Sequence, residues 1–162
     1  MNHSIKTGLS FGITSAIITT LGLMVGLNSG TGSKMVVIGG IVMIAIADAF
    51  SDALGIHVSE ESEQKHTPTE IWQATLSTFL AKFIFAMTFI VPILLFDLSI
   101  AVVVSVGWGL LLLCIFSFYI AGESAESSWK AVIEHLFIAL VVITITHYVG
   151  LWVARVFGTF II

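Results

Sequence analysis

The sequence predicts an all-α membrane protein, a bundle of five transmembrane helices forming a single membrane domain over 1–162, and three observations predict it. The chain is 57% hydrophobic and only 10% charged, with a mean hydropathy of +1.09, outside the range of soluble globular domains. Its apolar residues fall into five runs long enough to cross the hydrocarbon layer, at about 8–27, 35–57, 76–96, 98–120 and 131–153. Turn residues and charges gather between those runs.

The same composition excludes several functions. A chain this short and this apolar has no room for a soluble catalytic domain. The net charge is −4 and no Lys/Arg cluster occurs, which argues against nucleic acid as a partner and leaves the lipid bilayer as the surroundings. A single cysteine, Cys114, cannot form an intrachain disulfide. No nucleophile and base pair and no H-E-x-x-H motif stands out, and His135 and His147 are more than three helical turns apart, too far to share a metal. We therefore expect neither an enzyme nor a permanently bound cofactor.

The first span starts near Gly8 and ends near Leu27. It is too long for a signal-peptide core and no small-residue cleavage site clearly follows, so it reads as a retained helix. Gly8/Gly12 and Gly22/Gly26 are small-xxx-small pairs that let helices approach closely. Thr14, Ser15, Thr19 and Thr20 either bond back to their own helix or line a path. The stretch 28–34 reads as a turn.

The second span carries the chemistry. Asp48 and Asp52 are four residues apart, one turn on a helix, and Gly55, Ser59 and Glu63 continue their face. Ten large apolar side chains between 36 and 56 favour insertion by roughly 3 to 6 kcal/mol, while two ionised Asp at the midplane cost roughly 5 to 7. Insertion is near balance unless the carboxylates are protonated, paired or facing a wet cavity. Each of those states suits the movement of cations or protons, and helix-to-helix hydrogen bonding is the plainer alternative.

Thr67, Pro68 and Glu70 form a helix-start signature, with Thr67 as N-cap, Pro68 at the first helical position and Glu70 completing a capping box. The third span places Lys82 near the depth of Asp48 and Asp52 on the oppositely running second span. It either snorkels to the surface or pairs with one of those acids. Pro92 is expected to kink the far end. The fourth span is the least polar. The fifth carries Glu134 and His135 near its start and His147 near its end, bracketed by Trp129 and Trp152 as interface anchors.

Five spans put the termini on opposite sides. With the amino terminus cytoplasmic, Lys6, Lys65 and Lys130, joined by Lys82 if it snorkels, lie inside against Lys34 and Arg155 outside, a weak positive-inside bias. The cytoplasmic side then collects Glu60, Glu61, Glu63, Glu123, Glu126 and Glu134 with His57, His66 and His135, an acidic mouth that attracts cations.

Two phrases carry a resemblance to a known family. Phe11-Gly12-Ile13-Thr14-Ser15-Ala16 looks like the first-helix phrase F-G-x-N-D-G, and the run from Ala49 to Ser59, AFSDALGIHVS, looks like A-L-S-M-A-x-G-E-Y-x-S. The chain thus resembles the vacuolar iron transporter family, five-helix dimeric carriers that move ferrous iron and related divalent metals out of the cytosol in exchange for protons. That family's first-helix carboxylate would lie at Ser15, its methionine at Asp52 and its second-helix glutamate at Ile56, and its long metal-collecting insert shrinks here to about 60–70. The resemblance implies the scaffold, a homodimer and the location of the pathway, with the acids moved to Asp48 and Asp52. Two carboxylates without sulfur favour a hard divalent ion such as Mn(II), Mg(II), Ca(II) or Fe(II) over soft Cu(I).

The sequence-based expectation is therefore a proton-coupled divalent metal transporter of the cell membrane that exports its ion. Its metal residues would be Asp48, Asp52, Glu60, Glu61 and Glu63. Its pathway or proton-coupling residues would be Ser15, Ser51, His57, Lys82, Glu123, Glu126 and Glu134. The alternative is a non-transporting assembly or accessory subunit whose Asp pair docks a partner's basic helix.

Overall fold

The computed structural model describes residues 3–121 and 128–158, so Glu123 and Glu126 lie outside the described residues. The described residues form helices joined by short turns, with no strand among them: α1 (His3–Thr31), α2 (Lys34–Ser62), α3 (Pro68–Thr88), α4 (Ile90–Leu95), α5 (Leu98–Ala121) and α6 (Ser128–Phe157). With α3 and α4 together counted as one crossing, five are long and apolar enough to span a membrane. Large apolar side chains cover the outside of α2, α5 and α6 while the centre is also apolar. That two-sided apolarity belongs in lipid, where water does not penalise the outer surface.

Helix α1 is the hub, packing against α2, α3, α5 and α6. Its glycines explain how. A Cβ on Gly8 would sit 2.3 Å from the Ala74 carbonyl oxygen of α3, and one on Gly12 would sit 2.7 Å from that of Thr78. At the other end Gly26 and Gly30 meet α6, where a Cβ on Gly150 would fall 2.3 Å from the Gly26 carbonyl. Both small-residue pairs of the first span are thus contact points, one for each neighbour.

The helices run longer than the apolar runs suggest. Residues 28–31 continue α1 instead of turning, because Gly30 rests on Gly150 and Ser29 bonds His147 across to α6 at 2.6 Å. The turn shrinks to Gly32, whose φ of +59° suits glycine, and Ser33, which caps α2. At the opposite end α2 reaches Ser62, and the Thr67–Glu70 capping box opens α3 with Pro68 behind the cap, as the signature predicts. Pro92 does more than kink its helix. The chain breaks at Phe89, because proline offers no N–H to the carbonyl four residues back, at Thr88.

Candidate functional site

The middle of the bundle holds four polar side chains from three helices. Asp48 has fourteen residues of α2 on either side of it, which puts it near the midplane of a spanning helix. Lys82 is just as central in the crossing formed by α3 and α4. The antiparallel turn sets their register. Lys82 follows His66 by sixteen residues, while Asp52 and Asp48 precede it by fourteen and eighteen, so the lysine arrives between the two acids.

Of the two options open to Lys82, the structure shows pairing. Its side chain is 1% exposed, and its ammonium lies 2.6 Å from Asp48 Oδ2 and in direct contact with Asp52 Oδ2. The Asp48 contact lies outside hydrogen-bond alignment, so charge alone holds it. Ser15 of α1 closes the group: its hydroxyl accepts from the ammonium at 2.8 Å and donates to Asp52 Oδ2 at 2.7 Å. Snorkelling is not used because the acids already supply, inside the bundle, the partner that the ammonium would otherwise seek in water.

The charge balance of this cluster is uneven. Two acids face one base, a net −1 when all three are ionised. Asp48 and Asp52 retain 28% and 19% of their side-chain exposure, whereas the lysine is sealed. The open side of the cluster is therefore its carboxylate side.

The other acids stand apart from it. Glu60, Glu61 and Glu63 lie roughly 12 to 22 Å further along α2, taken at the helical rise of about 1.5 Å per residue. Glu60 is buried and faces His66 at 3.3 Å; Glu63 is 3.9 Å from His66 and 3.8 Å from Lys65. Glu60 and Glu63 form a separate polar cluster with His66 and Lys65 at the α2–α3 turn. Among the described residues no three His, Cys, Asp or Glu side chains come close enough together to hold a metal ion. Ser51 is exposed on the outer side of α2, and Glu134 is exposed on α6, which packs on α1 and α5.

Each span histidine is held through Nδ1 by a hydroxyl of a neighbouring helix: His57 by Thr75 at 2.9 Å, His135 by Ser117 at 2.8 Å and His147 by Ser29 at 2.6 Å. For His147 this makes the ring a contact between α1 and α6. The hydroxyl partners were not picked out from the sequence, although Thr75 and His57 stand nine residues either side of His66 and so face each other in an antiparallel pair. Among the span hydroxyls of α1, Thr14 and Thr19 bond back to carbonyls of their own helix while Ser15 reaches across.

No family model, curated protein or solved structure matches this chain. The functional reading therefore rests on the cluster and on the motifs.

Proposed function

We propose that this protein is a proton-coupled cation carrier that exports a hard divalent metal ion, with Asp48 and Asp52 as the alternating site and Lys82 as a built-in competitor for it. The observation that carries the reading is the burial of the Lys82 ammonium between two mid-span carboxylates. Ionisable residues at that depth mark ion or proton paths in membrane proteins. The resemblance to the vacuolar iron transporter family supports iron or manganese as the class of ion.

The chemistry follows from electroneutrality. Charge inside a low-dielectric bundle is costly, so the cluster is most stable when its charges cancel. With one proton added to the fully ionised group, the acids and the lysine sum to zero. A divalent ion held by both carboxylates sums to zero only when the lysine is neutral. Passing between those states releases two protons for each divalent ion, and Lys82 moves off the carboxylates as the ion arrives. Ser15 serves as a hydroxyl ligand or proton relay, since its oxygen already touches both charged partners. Glu60, Glu61 and Glu63, with His57, act at the mouth, drawing cations toward the cluster.

A second copy completes the arrangement. Ala47, Ser51, Gly55 and Ser59 form an exposed small-residue stripe on α2 beside the partly open Asp48. Such a stripe suits close helix packing, and a homodimer formed there would shield both acids from lipid. On this reading the protein lies in the cell membrane with its amino terminus in the cytoplasm. In the other reading, a non-transporting accessory subunit, a partner's basic helix would have to displace Lys82, which already occupies both carboxylates.

Thermal unfolding of the detergent-purified protein across Mg(II), Ca(II), Mn(II) and Fe(II) tests this reading. A site-specific ion raises the melting temperature by mass action, and the rise disappears in the Asp48→Asn, Asp52→Asn double variant. A melting temperature indifferent to every ion argues against it.

A further inference from the structure

A groove of about 560 Å³ runs along the outside of the α2–α3 pair, on the side of α2 away from the Asp48 stripe. Phe50, Leu54, Leu76 and Phe79 line its deeper part, and Trp72 and His57 stand at its end toward the α2–α3 turn. Between Phe50 and His57 it covers roughly 10 Å of helix, from near mid-span to the depth where aromatic anchors meet headgroups.

The polar end is chemically defined. Thr75 has one hydroxyl proton and donates it to the Ile71 carbonyl at 2.7 Å. It can then only accept from His57, so His57 Nδ1 carries a proton, and whenever the ring is neutral its Nε2 is an acceptor. One turn further, Glu61 is exposed on the same stripe of α2 as Phe50, Leu54 and His57. Glu60 and Glu63 follow at the turn. An anionic headgroup is repelled there, and an ammonium headgroup is attracted.

We propose that this groove is a binding site for a phospholipid with a primary ammonium headgroup, of the phosphatidylethanolamine type. Its acyl chain lies on Phe50, Leu54, Leu76 and Phe79, and its ammonium donates to Glu61 and His57 Nε2. The site shares no side chain with the central cluster, and although His57 and Glu61 also stand at the proposed mouth, lipid retention is read without transport, so the two readings fail separately.

The test is native mass spectrometry of the protein released from nanodiscs of equal phosphatidylethanolamine and phosphatidylglycerol with identical acyl chains. The wild type retains phosphatidylethanolamine over phosphatidylglycerol by roughly tenfold, as one charge-assisted contact warrants. His57→Ala with Glu61→Gln loses the preference but keeps a lipid. Leu76→Trp, at a position 57% exposed and so outside the packed core, fills the groove and loses the lipid with its melting temperature unchanged. Equal retention of the two lipids by the wild type would overturn the proposal. So would full retention by Leu76→Trp, or a dimer that Leu76→Trp dissociates, which would make a second copy the occupant.

Discussion

Lys82 and Asp48 meet 2.6 Å apart at the middle of their crossings, with the lysine sealed and the aspartate partly open. An ion pair at that depth is unstable unless both partners stay. Removing one leaves an uncompensated buried charge, which costs about 3 to 5 kcal/mol. Lys82→Ala should therefore lower stability by that order, read as the thermal unfolding of the detergent-solubilised protein. Lys82→Met combined with Asp48→Asn and Asp52→Asn should recover most of the loss, because it removes the charges together. If the single variant melts like the wild type, the ammonium does not hold the acids.

The α1–α6 crossing should be intolerant of a side chain at Gly150, whereas the exposed face of α2 should accept one at Gly55. A Cβ on Gly150 meets the Gly26 carbonyl oxygen at 2.3 Å, whereas one on Gly55 meets nothing within 4 Å. Gly150→Ala should destabilise by about 1 to 3 kcal/mol through forced separation of the helices. Gly55→Ala should leave the melting temperature of the monomer close to that of the wild type.

The start of α3 offers a local test outside the core. Thr67 accepts from the Glu70 backbone N–H while the Glu70 carboxylate accepts from the Thr67 backbone N–H at 2.8 Å. Thr67→Ala should cost about 1 kcal/mol and show as faster hydrogen exchange in the first turn of α3. Unchanged exchange there would mean that tertiary packing alone fixes the helix start.

Much of this was legible in the sequence, for reasons visible at particular residues. The five spans follow from apolar run length, and the Thr67 cap follows from spacing. The approach of Lys82 to the acids could be judged from its distance to the turn, but its choice of pairing over snorkelling depends on how α1 seals that side, which no local pattern encodes. The extension of α1 through residues 28–31 was hidden because Asn28, Ser29 and Gly30 have turn composition. Only the α6 contacts at His147 and Gly150 keep them helical. The break at Phe89 exceeds the kink expected from Pro92. The hydroxyl partners of the three span histidines lie on other helices, and a single sequence does not mark them.

The exchange should be electrically silent. If two protons leave for each divalent ion, as proposed, imposing a membrane potential with valinomycin and potassium should not change the initial rate of metal-driven proton movement in vesicles. A rate that rises steeply with potential would mean that Lys82 stays charged through the cycle.

The most direct measurement of the central claim is proton flux in proteoliposomes carrying an internal pH dye, started by an inward gradient of Mn(II) or Fe(II). Wild-type protein should move protons against the metal ion, and the Asp48→Asn, Asp52→Asn variant, folded and reconstituted to the same density, should move none. Undiminished metal-driven flux in that variant would contradict the account.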